Sequence, residues 1–222
     1  MKQIKAVLFD LDQTLLNRTE TLCRFLNWQI NFYQLVPAVH KDQFIHRFLE
    51  LDANGSVWKD VVYTQLIQEF TIRHYSMAQL LQCYIQDLNK FSVAFEGVTA
   101  AVSELYQSGY QIGLISNGKT PFQEHNFQAL GLSVFFSVIL VSDAVGLRKP
   151  DTAIFHKACQ QLQRSAEQCV FVGDNDIADI QGANRAGLKS IFFHPDPTVH
   201  SSDADLNMHH FSELSVLIDQ LD

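Results

Sequence analysis

The 222-residue sequence is short of positive charge, of cysteine and of long apolar runs. Sixteen Lys and Arg stand against 24 Asp and Glu, a formal net charge of −8 at pH 7, which argues against a surface for a nucleic-acid polymer or an anionic membrane. An anionic small molecule is not excluded, because a few fixed cations and a metal ion can hold a phosphate locally. The four cysteines, Cys23, Cys83, Cys159 and Cys169, form no C-x-x-C pair and lie in apolar, periodic segments, so they read as buried thiols and not as a disulfide framework. No stretch approaches the roughly 18 uninterrupted apolar residues of a membrane span. The apolar run after Lys2 and Lys5 ends at Asp10, too short for a signal-peptide core, and the expectation is a cytoplasmic protein. What is present is ordinary for a globular chain: 47% hydrophobic and 18% charged residues, enough for one α/β domain with or without an insertion.

Short apolar runs ending in polar residues recur at 4–9, 110–115, 138–141, 169–172 and 190–193, with a last short one at 206–209. They have the length and composition of buried parallel strands. Helical patterns separate the later runs, introduced by Thr120-Pro121, Asp151 and Asp176, and Gly131 and Gly187 sit where a left-handed helix terminus is wanted. Alternation of this kind means βαβ units and a parallel sheet. Residues 19–91 differ: four amphipathic helical patterns follow one another, punctuated by Pro37, Asn54-Gly55 and Ser76, which has capping-box spacing to Gln79. One stripe is Phe44, Ile45, Phe48 and Leu49; another is Trp58, Val61, Val62, Gln65, Leu66 and Phe70. The expected architecture is an α/β, doubly wound, Rossmann-like parallel sheet from residues 1–18 and 92–222, with a helical-bundle domain of residues 19–91 inserted.

In an open parallel sheet the ligand site lies outside the carboxyl ends of the strands. The first strand ends in Asp10-Leu11-Asp12-Gln13-Thr14 and the second in Ser116-Asn117-Gly118. The third leads to Lys149-Pro150, and the fourth ends in Gly173-Asp174 with Asp179 following. Carboxylates gathered from two distant strand ends make a hard oxygen site suited to Mg²⁺. A carboxylate can attack phosphorus, a second can protonate the leaving alkoxide, and Lys149, Ser116 and backbone N–H groups can hold the transferring phosphoryl group.

Asp10-x-Asp12-x-Thr14, Ser116-Asn117-Gly118, Lys149-Pro150-Asp151 and Gly173-Asp174-x-x-x-x-Asp179 resemble, in order, the four motifs of the haloacid dehalogenase (HAD) superfamily. The inserted block resembles the helical C1 cap of its subfamily I phosphatases. The resemblance implies Asp10 as nucleophile and Mg²⁺ ligand, and Asp12 as general acid and base with its backbone carbonyl on the metal. Ser116 and Lys149, with the Asn117-Gly118 backbone, would bind the phosphoryl group. Asp174 would bind Mg²⁺, and Asp179 would support it or orient Lys149. Asp12 stands where the dehalogenases usually have an aromatic residue, which favours phosphate chemistry, and Gln13 stands where many relatives have glycine. The expected activity is Mg²⁺-dependent hydrolysis of small-metabolite phosphomonoesters, with nucleoside 5′-monophosphates first and sugar phosphates second. The Ser-Asn-Gly form is similar to nucleotidase and N-acylneuraminate-9-phosphatase-like members. A phosphomutase, or a non-catalytic regulator on the same fold, is the alternative.

Residues 113–120, GLISNGKT, also match the phosphate-cradling P-loop pattern letter for letter. That loop needs its strand to stop at the first glycine and its Lys-Thr to open a helix. Here the apolar run continues through Gly113, and Pro121 places the helix start beyond Lys119, so the ATPase reading is rejected. His194, His200, His209 and His210, near Asp196, Asp203 and Asp205, fit no standard zinc spacing and read as a polar surface loop.

Overall fold

A computed structural model of the chain, describing residues 3–221, has the following order. Strand β1 (Ala6–Phe9) is followed by four helices, α1 (Arg18–Tyr33), α2 (Lys41–Asp52), α3 (Lys59–Glu69) and α4 (Met77–Asp87). Then come α5 (Val98–Gln107), β2 (Gln111–Ser116), α6 (Phe122–Ala129), β3 (Val138–Val141), the single turn α7 (Ser142–Val145) and α8 (Thr152–Leu162). Strand β4 (Cys169–Gly173) leads through a π-helical turn at Asp176–Gln181 into α9 (Gly182–Arg185), β5 (Lys189–Phe193), β6 (Leu206–Met208) and α10 (Leu214–Leu221).

The six strands form one sheet in the order β3-β2-β1-β4-β5-β6, and every neighbouring pair is parallel. The central strands β1 and β4 are buried on both faces, which is why they read as continuous apolar runs. Val7 and Phe9 of β1 join Ile112, Leu114, Val170 and Val172 in a core closed by Val98 and Val102 of α5 and by Leu214 and Ile218 of α10. Ala6 and Leu8, one residue out of phase, face the other way with Ile115 and Phe171, against Ile154, Phe155 and Leu162 of α8. Each fully buried Val, Leu, Ile or Phe contributes about 1.5–3 kcal/mol of transfer free energy, so the sheet is the main source of this unit's stability. The fold is the expected doubly wound α/β sheet. Sheet order reverses at β1, and the register sets Phe9 beside Leu114 and Val172, so the chain past β1 emerges between the ends of β2 and β4.

The strand over the P-loop-like segment runs unbroken from Gln111 to Ser116. A Cβ on Gly113 would come 2.7 Å from Leu8 Cδ2, so this glycine makes room for the neighbouring strand and does not open a phosphate loop.

Two local expectations change. Asn175, not Asp176, caps the helical turn after β4: its Oδ1 accepts from the N–H groups of Ile177 (3.1 Å) and Ala178 (2.8 Å). The second stripe of the inserted block rotates on α3, burying Val62, Tyr63 and Leu66 while Trp58 and Val61 are exposed. Tyr63 wins its inward place because its hydroxyl donates to Gln29 Oε1 at 2.8 Å, which satisfies its polar end.

Contacts divide the chain into two units, Met1–Asn17 with Val93–Asp222, and Arg18–Ser92. The two junction segments meet in an isolated antiparallel bridge between Leu16 and Ala94, where Asn17 N–H donates to Val93 O (2.8 Å) and Phe95 N–H to Leu15 O (3.1 Å). Arg18 and Ser92, expected at the edges of the α/β part, cluster with the helices. For Arg18 the reason is a buried fork onto Asp52, at 2.6 and 2.8 Å, with Lys59 on the same carboxylate. In the helical unit Ser76 and Gln79 form the capping box that starts α4. No helix among the described residues is long and apolar enough to cross a membrane.

Candidate active site

Asp10 leaves β1 with its N–H still in the ladder, donating to Val172 O at 2.9 Å, so the strand itself fixes the carboxylate's position. The chain then turns tightly, with Leu16 N–H on Leu11 O and Gln13 N–H on Leu16 O, both at 2.8 Å. Gln13 takes φ +62° in that turn, a left-handed conformation that costs a side-chain-bearing residue about 1–2 kcal/mol.

Lys149 is the centre of the charges. Its Nζ lies 2.5 Å from Asp10 Oδ1 and 2.6 Å from Asp179 Oδ1, and the ammonium sits 5.1 Å above the Phe171 ring. Only 2% of the residue is exposed, and Asp179 is 1% exposed. Burial alone would pull the lysine down, but the two facing carboxylates outweigh it and hold the ammonium above the usual lysine range. Asp10 moves the other way: burial, reinforced by the charges of Asp179 and Asp12, pushes it up to about 7 although Lys149 opposes the change. Asp174 is raised well above the ordinary aspartate value by burial and by the charges of Asp10 and Asp179. Thr14 Oγ1 donates to Asp174 Oδ1 at 3.3 Å.

Backbone geometry secures these side chains. Asn117 clamps the peptide of Lys149, donating from Nδ2 to its carbonyl and accepting its N–H at Oδ1, both at 2.9 Å. Asp179 Oδ2 accepts the N–H of Asn175 at 3.1 Å, and a Cβ at Gly173 would stand 2.5 Å from its carboxyl carbon. Glycine at 173 is therefore what lets Asp179 reach Lys149.

Of the residues expected to form the site, Asp10, Lys149, Asp174 and Asp179 come together at the ends of β1 and β4. The Asp12 carboxylate and the Ser116 hydroxyl share a partner of their own, Gln123 of α6, while the charge of Asp12 still acts on Asp10 and Asp174. Gln123 Nε2 donates to Asp12 Oδ2 at 2.5 Å and to Ser116 Oγ at 2.9 Å. The Asn117 side chain is committed to Lys149. The Gly118 N–H, expected to face a phosphate, donates instead to Ser142 Oγ at 3.0 Å, because α7 brings that hydroxyl under the loop. Sequence reasoning missed Gln123 altogether. The one available signal was a polar residue four positions before Phe127 on the inward stripe of α6, where both are buried.

Asp10, Asp174 and Asp179 each offer one carboxylate oxygen, all within 4.8 Å of one another. Three hard oxygen donors on buried carboxylates that burial and mutual repulsion disfavour when charged match a divalent cation of the Mg²⁺ class. The expected set was Asp10, Asp174 and the backbone carbonyl of Asp12; Asp10 and Asp174 stand in the cluster, Asp179 joins them there, and the Asp12 carboxylate, which was not expected on the metal, meets Gln123. The histidines at 194, 200, 209 and 210 belong to no such cluster among the described residues. His209 Nδ1 instead meets the backbone carbonyl of His194 at 2.7 Å.

A phosphoglycolate phosphatase of Yersinia pestis is 29% identical over 223 residues, covering 96% of this chain and 92% of its own. The pyrimidine 5′-nucleotidase PynA of Streptococcus pneumoniae is 25% identical, over 86% of this chain and 84% of its own. Among solved structures, the HAD-hydrolase YfnB of Bacillus subtilis bound to magnesium superposes with a TM-score of 0.79 at 24% identity, over 97% of this chain and 99% of that one. The family model for haloacid dehalogenase-like hydrolases matches residues 7–193, from the first residues of β1 to the end of β5, and this chain belongs to that family.

Proposed function

We propose that the protein is a Mg²⁺-dependent phosphatase that hydrolyses small phosphomonoesters through an aspartyl phosphate on Asp10. The observation that carries the reading is the pairing of Asp10 with the buried ammonium of Lys149, with Asp12 two residues along the same turn. A carboxylate oxygen of Asp10 attacks phosphorus as the bond to the leaving oxygen breaks. Asp12 gives its proton to that oxygen, then takes a proton from the water that attacks the aspartyl phosphate, so that free phosphate leaves and both carboxyls return to their starting forms. General acid and base help of this kind is worth about 10²–10⁴ in rate. Lys149 and the Ser116 hydroxyl hold the phosphoryl oxygens, and Asp179 keeps the Lys149 ammonium in place. Mg²⁺ on Asp10, Asp174 and the backbone carbonyl of Asp12 would neutralise charge on the phosphoryl group.

The substrate is a phosphorylated small metabolite, and the inserted helical unit, Arg18–Ser92, is our candidate for the part that selects it. One similar protein is named for phosphoglycolate and another for pyrimidine nucleotides, so the panel to screen holds short phosphorylated acids, nucleoside 5′-monophosphates and sugar phosphates. The first test is phosphate release from p-nitrophenyl phosphate with Mg²⁺, abolished by EDTA and by Asp10→Asn. Sustained turnover by Asp10→Asn would overturn the mechanism.

A further inference from the structure

Gln123 is 3% exposed, yet it belongs to none of the groups assigned above. Its place is made by the sequence around it. A Cβ at Gly118 would stand 2.6 Å from Gln123 Cγ, so glycine there leaves the amide its channel. Asn126 Nδ2 approaches Gln123 Oε1 at 3.4 Å, and Asn126 is itself 2% exposed. That contact, together with the carboxylate on the other side, fixes which end of the amide is nitrogen. With Asp12 ionised, a carbonyl oxygen turned toward its Oδ2 would set two acceptors 2.5 Å apart.

We propose that Gln123 is a positioning residue that sets the hydrogen-bond polarity of Asp12 and Ser116 together. The inference rests on the phosphatase reading for its consequence, not for its geometry. A primary amide nitrogen has two N–H donors and accepts nothing. One N–H goes to Asp12 Oδ2, so in the acid form the proton of Asp12 must sit on Oδ1, because an oxygen facing a donor cannot present a hydrogen to it. The second N–H goes to Ser116 Oγ, which therefore accepts there and must direct its own hydroxyl hydrogen elsewhere. A hydroxyl so occupied serves as a donor, the role an anionic phosphoryl oxygen requires. One side chain thus orients the proton of the group that protonates the leaving oxygen and the hydrogen of a group that binds the phosphoryl oxygens.

The test separates this role from packing by changing the leaving group. p-Nitrophenolate departs without a proton, whereas an alkoxide does not. Gln123→Met keeps the length of the side chain and removes both donors; Gln123→Glu keeps its shape and sets a second carboxylate against Asp12. Both variants are expected to lose at least about tenfold more kcat/KM, which reports the step in which the leaving group departs, on an alkyl phosphate such as 2-phosphoglycolate than on p-nitrophenyl phosphate, given the 10²–10⁴ worth of proton transfer. They should also bind inorganic phosphate several-fold more weakly. An equal loss of kcat/KM on both esters in the two variants, or no loss, overturns the proposal. Crystal structures of the wild type and whichever variant folds give a readout that needs no turnover. The carboxyl plane of Asp12 should turn once the amide is gone, and an Asp12 and Ser116 that stay where they are would overturn the positioning role. If the wild type hydrolyses no phosphate ester, the phosphatase reading fails, and the crystal structures alone decide the role of Gln123.

Discussion

Replacing Lys149 with methionine removes one charge and little volume from the most buried part of the site. The ammonium is held between Asp10 at 2.5 Å and Asp179 at 2.6 Å, with Asp174 in the same cluster. Deleting one partner of a buried ion pair costs about 3–5 kcal/mol, because the other is left charged and uncompensated. In a chain of this size about 1 kcal/mol moves the melting temperature by roughly 2–4 °C, so metal-free Lys149→Met should melt about 6–20 °C below the wild type. Asp10, already raised to about 7, should then hold its proton more tightly, which places the result toward the lower end. Added Mg²⁺ should act in the opposite sense: with the ammonium gone the carboxylates attract a dication more strongly, and binding at 100 times Kd stabilises by about 2.7 kcal/mol. Thermal melts with EDTA and with a Mg²⁺ titration should therefore show a larger rise for Lys149→Met than for the wild type, while its phosphatase activity should be abolished, since the proposed mechanism assigns Lys149 to hold the phosphoryl group. A variant as stable as the wild type without metal, or one that Mg²⁺ stabilises no more than the wild type, would refute the reasoning.

Three further outcomes are expected. Gly173→Ala forces a methyl to 2.5 Å from the Asp179 carboxyl, so it should cost about 1–3 kcal/mol by overpacking and lower kcat at least tenfold with the fold retained, as read by thermal melting and steady-state kinetics. In the helical unit, burial acts against the charged form of Asp52 but is outweighed by Arg18 and Lys59, which lower its pKa below the ordinary 3.8. The stability this contributes is complete above the unfolded-state value and is lost as the pH falls through the lower folded one. Melts between neutral pH and pH 3 should show that loss in the wild type, and Asp52→Asn should lack it while starting about 3–5 kcal/mol lower, its two buried cations having lost their counter-charge. Lys119 has a side chain 64% exposed and meets Asp143 at 3.3 Å, a surface pair worth about 0–1 kcal/mol. Lys119→Ala should keep phosphatase activity within about twofold, and ATP without Mg²⁺ should not raise the melting temperature of either protein; a tight ATP effect lost in Lys119→Ala would restore the P-loop reading.

What the sequence disclosed and what it concealed divide along a physical line. Strands buried on both faces must be apolar along their whole length, so residues 169–172 could be read within a residue of their observed bounds, and the alternation with helices implied the parallel sheet. Polar residues at the ends of such runs stand out against that background, which is how Asp10, Ser116 and Asp174 could be named. Side-chain direction is a different matter. Nothing in Ser-Asn-Gly announces that the asparagine grips the peptide of Lys149 or that the glycine N–H turns to Ser142, because both partners lie at least 24 residues away. The rotated stripe on α3 has the same cause, since Gln29 on α1 decides that Tyr63 faces inward. Gln123 is the extreme case: its residue type is unremarkable in a helix, and only burial beside Asp12 and Ser116 turns it from a solvated amide into a donor with two fixed recipients. A buried polar group must be satisfied, and the cost of leaving it unpaired, about 1–3 kcal/mol, ties the orientation of both acceptors to the amide once the chain has folded. The residue that orients Asp12 and Ser116 is thus specified by tertiary packing, while the residues to which we assign the chemistry were set out at strand ends, in order, along the chain.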